Sequence, residues 1–170
     1  MSQDLFLGID PGLGGAFAIV DISGGVRYAS PFSLLVENHK KVLDCKDLYL
    51  QITKFTSRIN TCAIEQVHAM PKQGVVSTFS FGRGFGSLIC LLDVLYIPFE
   101  QVTSQRWKRK LFGYTTPDKK KSIEFAKSLE NGSKYLIPER RRTEHDGVAD
   151  AICLAEYCRL ITIKGKQHVE

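Results

Sequence analysis

The chain has 170 residues, of which 44% are hydrophobic and 24% charged, and these ordinary globular values exclude a disordered or fibrous protein. A chain of this length can bury a core without disulfides or metals, so we predict a single domain over 1–170. The formal net charge of +5 and the pI near 9.0 favour a polyanionic partner.

The five cysteines form no CxxC pair and fall mostly in apolar stretches. This usage is typical of reduced thiols in a reducing compartment. No signal sequence is recognisable, and no apolar run approaches the 18 residues of a membrane span. We therefore expect a soluble, intracellular protein without a membrane partner, located in a bacterial or viral-host cytoplasm, or in an organelle after removal of a transit peptide.

Three apolar runs separated by glycine-containing turns open the chain and predict an antiparallel meander. They cover 5–9, 16–20 and 26–32. Apolar residues then recur at steps of three and four, which predicts a helix. These residues are Leu48, Ile52, Phe55 and Ile59. A fourth strand follows at 62–64.

Helices and strands alternate in the second half. A leucine stripe predicts a helix over 85–95 after a loop from 67 to 84, and 97–102 is the fifth strand. Thr103 and the pair Thr116-Pro117 are typical helix starts, and a last helix should run from about Thr143 to about Ile161. This order predicts an α/β, RNase H-like fold, with a five-stranded mixed sheet (three antiparallel strands plus two parallel) flanked by helices.

Four carboxylates stand where strands or a helix would present them together. Asp10 ends the first strand, Glu65 ends the fourth, and Asp146 and Asp150 share one face of the last helix because they are four residues apart. Crowded carboxylates repel and must protonate or bind a cation. Hard oxygen ligands select Mg²⁺ or Mn²⁺ over zinc. Two such ions, roughly 3.5–4 Å apart, would support phosphodiester hydrolysis without a covalent enzyme intermediate.

Purely structural roles compete for two of these acids. Asp10 precedes Pro11-Gly12 and would serve equally as a turn residue. Thr143 and Asp146 fit a capping box, in which Asp146 is needed only for the helix start. Glu65 and Asp150 are harder to explain in this way, because each lies among apolar residues of its own segment.

Three segments resemble, in order and spacing, the acidic motifs of RuvC-type Holliday-junction resolvases. They are residues 7–12 with Gly15, residues 63–66, and residues 145–151. The resemblance covers nearly the whole chain and implies that Asp10, Glu65, Asp146 and Asp150 hold two Mg²⁺ ions per active site, for which Mn²⁺ would substitute. It also implies a homodimer that makes paired symmetric nicks in four-way junction DNA.

The last motif departs from the commonest bacterial members, in which the final two acids stand three residues apart. Here Asp146 and Asp150 stand four apart, with Gly147 at the intermediate place. This spacing resembles the chloroplast-type branch and some phage-type resolvases. His145, directly before Asp146, is a further candidate as a metal ligand or proton shuttle.

The resemblance also suggests where DNA and a second subunit would bind. The run Lys119, Lys120 and Lys121 matches a basic region that touches phosphates near the scissile bond in the family, and residues 81–86 resemble the start of its central, dimer-forming helix. The preceding loop mixes apolar and polar groups suited to an opened junction, unless its phenylalanines pack as core. The candidate DNA contacts there are Lys72, Gln73, Phe79, Phe81 and Arg83.

Three other functions fit parts of the pattern. The first glycine-rich motif also resembles the start of actin-like ATPases and sugar kinases, but the chain has no room for their second lobe. Another RNase H-like nuclease, acting on RNA or RNA–DNA hybrids, would use the same acids. A basic binding module, whose acids are only turns and caps, would bind nucleic acid without cutting it.

Overall fold

A central five-stranded sheet organises the computed structural model, which describes residues 4–68, 74–113, 119–139 and 142–167. In chain order the strands are β1 (Leu5–Asp10), β2 (Ala16–Asp21), β3 (Val26–Pro31), β4 (Leu34–Glu37), β5 (Lys40–Leu43), β6 (Ile59–Glu65) and β7 (Phe99–Val102). The main sheet has the order β3-β2-β1-β6-β7. Its first three strands are antiparallel, and β6 and β7 run parallel to β1. This arrangement confirms the predicted mixed sheet.

Helices cover both faces of this sheet. They are α1 (Cys45–Ile52), α2 (Val75–Val94), α3 (Ser104–Phe112), α4 (Lys119–Ser128), α5 (Gly132–Leu136) and α6 (Asp146–Gln167). The side chain of Thr103 accepts a hydrogen bond from the Arg106 backbone N–H and so caps α3, as its sequence predicts. The Thr116-Pro117 pair lies outside the described residues.

The sheet separates two apolar cores, because successive residues of a strand point to opposite faces. Phe6 of β1 belongs to the core beneath α3, α4 and α6, whereas Leu5 and Leu7 belong to the core beneath α1 and α2. β1 and β2 are therefore buried on both sides. Such strands read as continuous apolar runs, which is why their positions could be predicted.

Gly8 determines how closely α6 approaches the sheet. A Cβ atom at Gly8 would lie 2.2 Å from the backbone nitrogen of Ala155 and 2.3 Å from the carbonyl oxygen of Ala151. Any side chain there would push α6 away from β1. The glycine therefore brings the helix segment that carries Asp150 directly over the strand that ends at Asp10.

Several predicted boundaries were wrong. α2 begins at Val75, so residues 75–84 are helical and not a loop. Glycine disfavours helix interiors, yet Gly82, Gly84 and Gly86 all lie within α2. Ile59 opens β6, and the preceding helix ends at Ile52. β7 begins at Phe99, and α6 begins at Asp146, three residues after Thr143.

The β4–β5 hairpin was not predicted. Its turn residues Asn38 and His39 both have positive φ, 48° and 63°. Two left-handed residues between antiparallel strands form the type I′ turn, for which Asn-Gly is the usual signal. Because His39 replaces that glycine and the residues next to the turn, Glu37, Lys40 and Lys41, are charged, the pattern did not indicate a hairpin.

α2 is the one helix in the described ranges that is long and apolar enough for a membrane span by length and composition. The prediction that no apolar run approaches the length of a membrane span therefore does not hold for α2. The two criteria are weak evidence, since core helices of soluble proteins also satisfy them. Leu88 and Leu92 on one side of α2 pack into the core against the sheet.

Candidate active site

Asp10 and Glu65 come together because the strands that carry them are parallel neighbours. Ile9 of β1 is paired with Ile64 of β6, and each acid is the next residue at the same edge of the sheet. Both residues are half-buried. Carboxyl ends of parallel strands are the usual location of functional side chains in open α/β sheets.

α6 brings Asp150 to this edge. A Cβ atom at Gly147 would lie 2.4 Å from the carbonyl oxygen of Gly14 and 3.1 Å from Asp10 Oδ2. The first turn of α6 thus packs directly on the turn after β1, and no side chain fits at position 147. An acid three residues before Asp150 is therefore sterically excluded in this backbone, which gives a physical reason for the four-residue spacing.

The three carboxylates form one electrostatic group. The pKa of Asp10 is raised to about 8, mainly by burial and in addition by the charges of Asp150 and Glu65, while Lys108 opposes them. Burial also raises the pKa of Glu65, as does Asp150, against the effects of Trp107 and Lys108. Burial and mutual repulsion therefore disfavour full ionisation of the group unless a cation offsets the charge.

Trp107 and Lys108 on α3 complete this cluster. The Trp107 indole N–H donates a 2.7 Å hydrogen bond to Glu65 Oε2, and the tryptophan side chain is fully buried. Lys108 Nζ lies 4.9 Å from the centroid of the Trp107 ring. The sequence analysis identified neither residue as part of the site. The available signal was that a buried indole N–H needs an acceptor.

His145 has a clear structural role. It is buried, its Nδ1 accepts a 3.3 Å hydrogen bond from the Val148 backbone N–H, and its carbonyl accepts from Ala149. His145 is thus the N-cap of α6, and the capping box predicted for Thr143 is wrong. Its role as ligand or proton shuttle stays a prediction.

Asp146 occupies the first turn of α6 and is exposed. A carboxylate there is favourable for the helix dipole. Its assignment as a fourth metal ligand stays a prediction.

The donor set fits a hard divalent cation, because Asp10, Glu65 and Asp150 offer only oxygen and their carboxylates repel one another. Across the ranges that the structure describes, no three His, Cys, Asp or Glu side chains are gathered tightly enough to be a ready-made metal site. The three acids are close enough to affect one another's pKa values, but their side chains are not yet arranged around a single metal position.

The predicted lysine run lies beside the active-site part of α6. Lys119 opens α4, although its side chain is not described, and Lys120 is exposed while Lys121 is half-buried. The next residue, Ser122, is buried, and its carbonyl accepts a 3.7 Å hydrogen bond from Cys153 Sγ. Since Cys153 is one helical turn beyond Asp150, α4 is docked close to the carboxylate group.

The predicted DNA contacts in the central region differ in their exposure to solvent. Phe79 is 75% exposed, so a role in the core is excluded for it, whereas Phe81 is half-buried, with its ring 3.5 Å from where a Gly12 Cβ would lie. Arg83 is exposed and forms a 3.4 Å ion pair with Glu37. The remaining two, Lys72 and Gln73, lie outside the described residues.

The fold of this chain is similar to that of two solved structures of one bacterial protein. The chain is similar to the structure of Thermus thermophilus RuvC, with a TM-score of 0.63, 16% identity, and coverage of 95% of this chain and 96% of that one. It is also similar to T. thermophilus RuvC in complex with a Holliday junction substrate, with a TM-score of 0.62, 13% identity and the same coverage. No family model and no curated protein matches the sequence. The fold is therefore that of RuvC.

Proposed function

We propose that this protein is a Holliday-junction resolvase, a metal-dependent endodeoxyribonuclease that makes paired symmetric nicks in four-way DNA junctions. The observation that carries the proposal is the electrostatic group of Asp10, Glu65 and Asp150, assembled from three separate elements on a RuvC-like fold. The similarity to a RuvC structure with bound junction supports the substrate. The chloroplast- or phage-type branch remains part of the proposal.

Each residue of the group has a task in this reaction. Asp10, Glu65 and Asp150, with Asp146 as a fourth candidate, would hold two Mg²⁺ ions, and Mn²⁺ would substitute. Bound metal supplies an activated water and charge neutralisation for hydrolysis of the phosphodiester. Trp107 holds Glu65 in one orientation through its hydrogen bond, and Lys108 places a positive charge where the DNA phosphate must enter.

A homodimer would provide the two active sites that paired nicks require. The side of α2 facing away from the sheet supports this arrangement, because Val75 is 85% exposed and Phe79 is 75% exposed. Gly82 and Gly86 lie on the same side, and a Cβ atom at either position would meet nothing within 4 Å. An exposed apolar helix face with small residues suits close packing against a second copy.

We also propose a reducing intracellular location. All five cysteines are free thiols in the structure, and Cys62, Cys153 and Cys158 are buried. This arrangement agrees with a protein that functions without disulfides.

The test compares cutting of a labelled mobile four-way junction, a linear duplex of matched sequence and an RNA–DNA hybrid. Each substrate is incubated with Mg²⁺, Mn²⁺ or EDTA. The variants are Asp10→Asn, Glu65→Gln, Asp146→Asn and Asp150→Asn, and the matched control is Asp21→Asn, which neutralises a carboxylate at the other end of the sheet.

Paired symmetric nicks on the junction alone, lost in EDTA and in the Asp10, Glu65 and Asp150 variants, are the expected result. Retained cutting by Asp146→Asn would remove that residue from the ligand set. Preferential cutting of the hybrid would instead show another RNase H-like nuclease. Binding without metal-dependent cutting of any substrate would overturn the proposed enzyme.

A further inference from the structure

A groove of about 490 Å³ separates the N-terminal half of α2 from the β4–β5 hairpin. Phe81 and Phe85 of α2 form one apolar wall, and Leu13 contributes from the turn after β1. Lys40 and Lys41 of β5 line the same groove. Its volume is in the range of roughly 300–1,000 Å³ that is usual for small-ligand sites. None of the sequence motifs includes this hairpin.

The groove begins next to the carboxylate group. Gly12, which lines it, is only two residues beyond Asp10, and the Phe81 ring approaches to 3.5 Å of the space where a Gly12 Cβ would lie. A side chain at Gly12 would also be strained, since its φ is +121°. A DNA strand with one phosphate at Asp10 would therefore have a neighbouring nucleotide at the mouth of the groove.

The groove lining combines two chemistries. Aromatic and aliphatic side chains form the interior, while Lys40 and Lys41 are exposed, and neither forms an ion pair with any residue that the structure describes. A nucleotide matches this combination, because its base stacks on aromatic rings and its phosphate attracts lysine. A purely apolar peptide or a second apolar helix would leave the two lysines without a role.

We propose that this groove binds one unstacked nucleobase of the strand being cut, with Lys40 and Lys41 at the adjoining phosphates. The inference rests on the proposed nuclease function and adds to it a base-binding subsite on the β4–β5 hairpin. Taking a base out of the stack costs least where it is already mismatched or single-stranded. The Arg83–Glu37 ion pair connects the hairpin with α2.

The experiment uses 2-aminopurine, a base whose fluorescence increases when it leaves the stack. It replaces, one position at a time, the bases on either side of the cleavage site in a four-way junction. All binding measurements use the Asp10→Asn background so that the DNA stays intact. Cleavage by each groove variant is measured separately with Asp10 present.

One variant fills the groove, and the other removes its charge. Gly84 lines the groove, and a Cβ there would meet no atom within 4 Å, so Gly84→Leu adds a side chain to the groove without disturbing the helix. Its control, Gly165→Leu, makes the same change in α6, where the space is also open. Lys40→Ala with Lys41→Ala is matched by Lys54→Ala with Lys134→Ala, two exposed lysines outside the groove.

The expected result is a fluorescence increase at one position on binding, abolished by Gly84→Leu, with junction affinity reduced about tenfold in Gly84→Leu and in the double lysine variant. The controls should behave as the parent protein does. An unchanged increase in Gly84→Leu, with thermal melting showing an intact fold, would overturn the subsite. No increase with the parent protein at any position would overturn it too.

The two proposals fail separately. If the wild-type protein cuts no junction but the Gly84→Leu variant still loses the fluorescence change, the nuclease function fails and the base subsite stands. If junctions are cut and neither groove variant alters binding, fluorescence or cleavage, the subsite fails and the nuclease function stands.

Discussion

Asp10 and Asp21 end neighbouring antiparallel strands of the same sheet, so they lie at opposite ends of this strand pair. The Asp21 carboxylate accepts hydrogen bonds from the backbone N–H groups of Ser23 and Gly25, from the Ser23 hydroxyl, and from Arg27. Burial alone would raise its pKa, but these bonds outweigh burial and lower it. The pKa of Asp10 is instead raised to about 8.

The difference lies in which residues surround each acid. The described hydrogen-bond donors to the Asp21 carboxylate all lie within six residues along the chain, so a single turn stabilises the charge. The neighbours of Asp10 are carboxylates from β6 and α6, which raise its energy when it ionises. A fold retains such a repulsive arrangement at a functional site, where a ligand supplies the missing charge. Asp21 therefore stabilises the fold, whereas the environment of Asp10 is the kind expected at a functional site.

The largest expected effect is on junction cleavage, which should depend strongly on Asp10 and little on Asp21. Asp10→Asn should reduce junction cleavage by more than about 100-fold, because even changes in residues that only support metal ligands cost about 10–100-fold. Its thermal midpoint in EDTA should not fall, since the substitution removes a buried and repelled charge. Single-turnover cleavage and thermal melting measure the two quantities. Wild-type cleavage by this variant would contradict the comparison.

The next effect concerns the support of Glu65. Trp107→Phe retains an aromatic ring but removes the N–H that bonds to Glu65, so Mn²⁺ affinity and cleavage should each fall about 10–100-fold. Titration calorimetry with Mn²⁺ measures the affinity without requiring turnover. Phe112→Leu is the control, because Phe112 packs edge-on against Trp107 at 6.1 Å in the same core. Equal losses in both variants would show that Trp107 acts only through packing.

Sequence patterns predicted the parts of this comparison that depend on periodicity. Continuous apolar runs predicted β1 and β2, and acids directly after strands or four apart on a helix predicted which carboxylates could meet. They could not predict the Trp107–Glu65 hydrogen bond, because it joins residues 42 positions apart. Nor did they predict the local Asp21 network, since an aspartate before Ser23 and two glycines is typical of any turn.

The central region was the least predictable for a related reason. Glycines at 82, 84 and 86 disfavour a helix locally, and packing of Leu88 and Leu92 against the sheet outweighs that preference. The groove beside α2 exists only because the β4–β5 hairpin lies opposite, and no periodic signal indicates that hairpin. Tertiary packing, and not local propensity, determines the structure there.

A smaller effect on stability tests the other side of the comparison. Asp21→Asn places an amide NH₂ group against the Arg27 guanidinium and should lower the free energy of unfolding by roughly 1.5–3 kcal/mol, as expected for hydrogen bonds to a charged group. Urea unfolding with an unchanged slope measures this loss. Junction cleavage by the folded variant should remain within about twofold of wild type. A large loss of cleavage with unchanged stability would reverse the two assignments.

The smallest effect is a pH dependence of stability that belongs to Asp21 and not to Asp10. Because the folded pKa of Asp21 lies below its ordinary value of 3.8, its contribution to stability is complete above the unfolded pKa and is lost as the pH falls through the folded pKa. Urea midpoints measured stepwise from pH 6 to pH 2.5 should therefore decline less steeply below about pH 4 in Asp21→Asn than in wild type. Asp10 has the opposite sign: its raised pKa weakens the metal-free fold only as the pH rises above 3.8 toward 8. Asp10→Asn should therefore retain the full acid slope, and a flattened slope in that variant would show that the two ends of the sheet are not electrostatically independent.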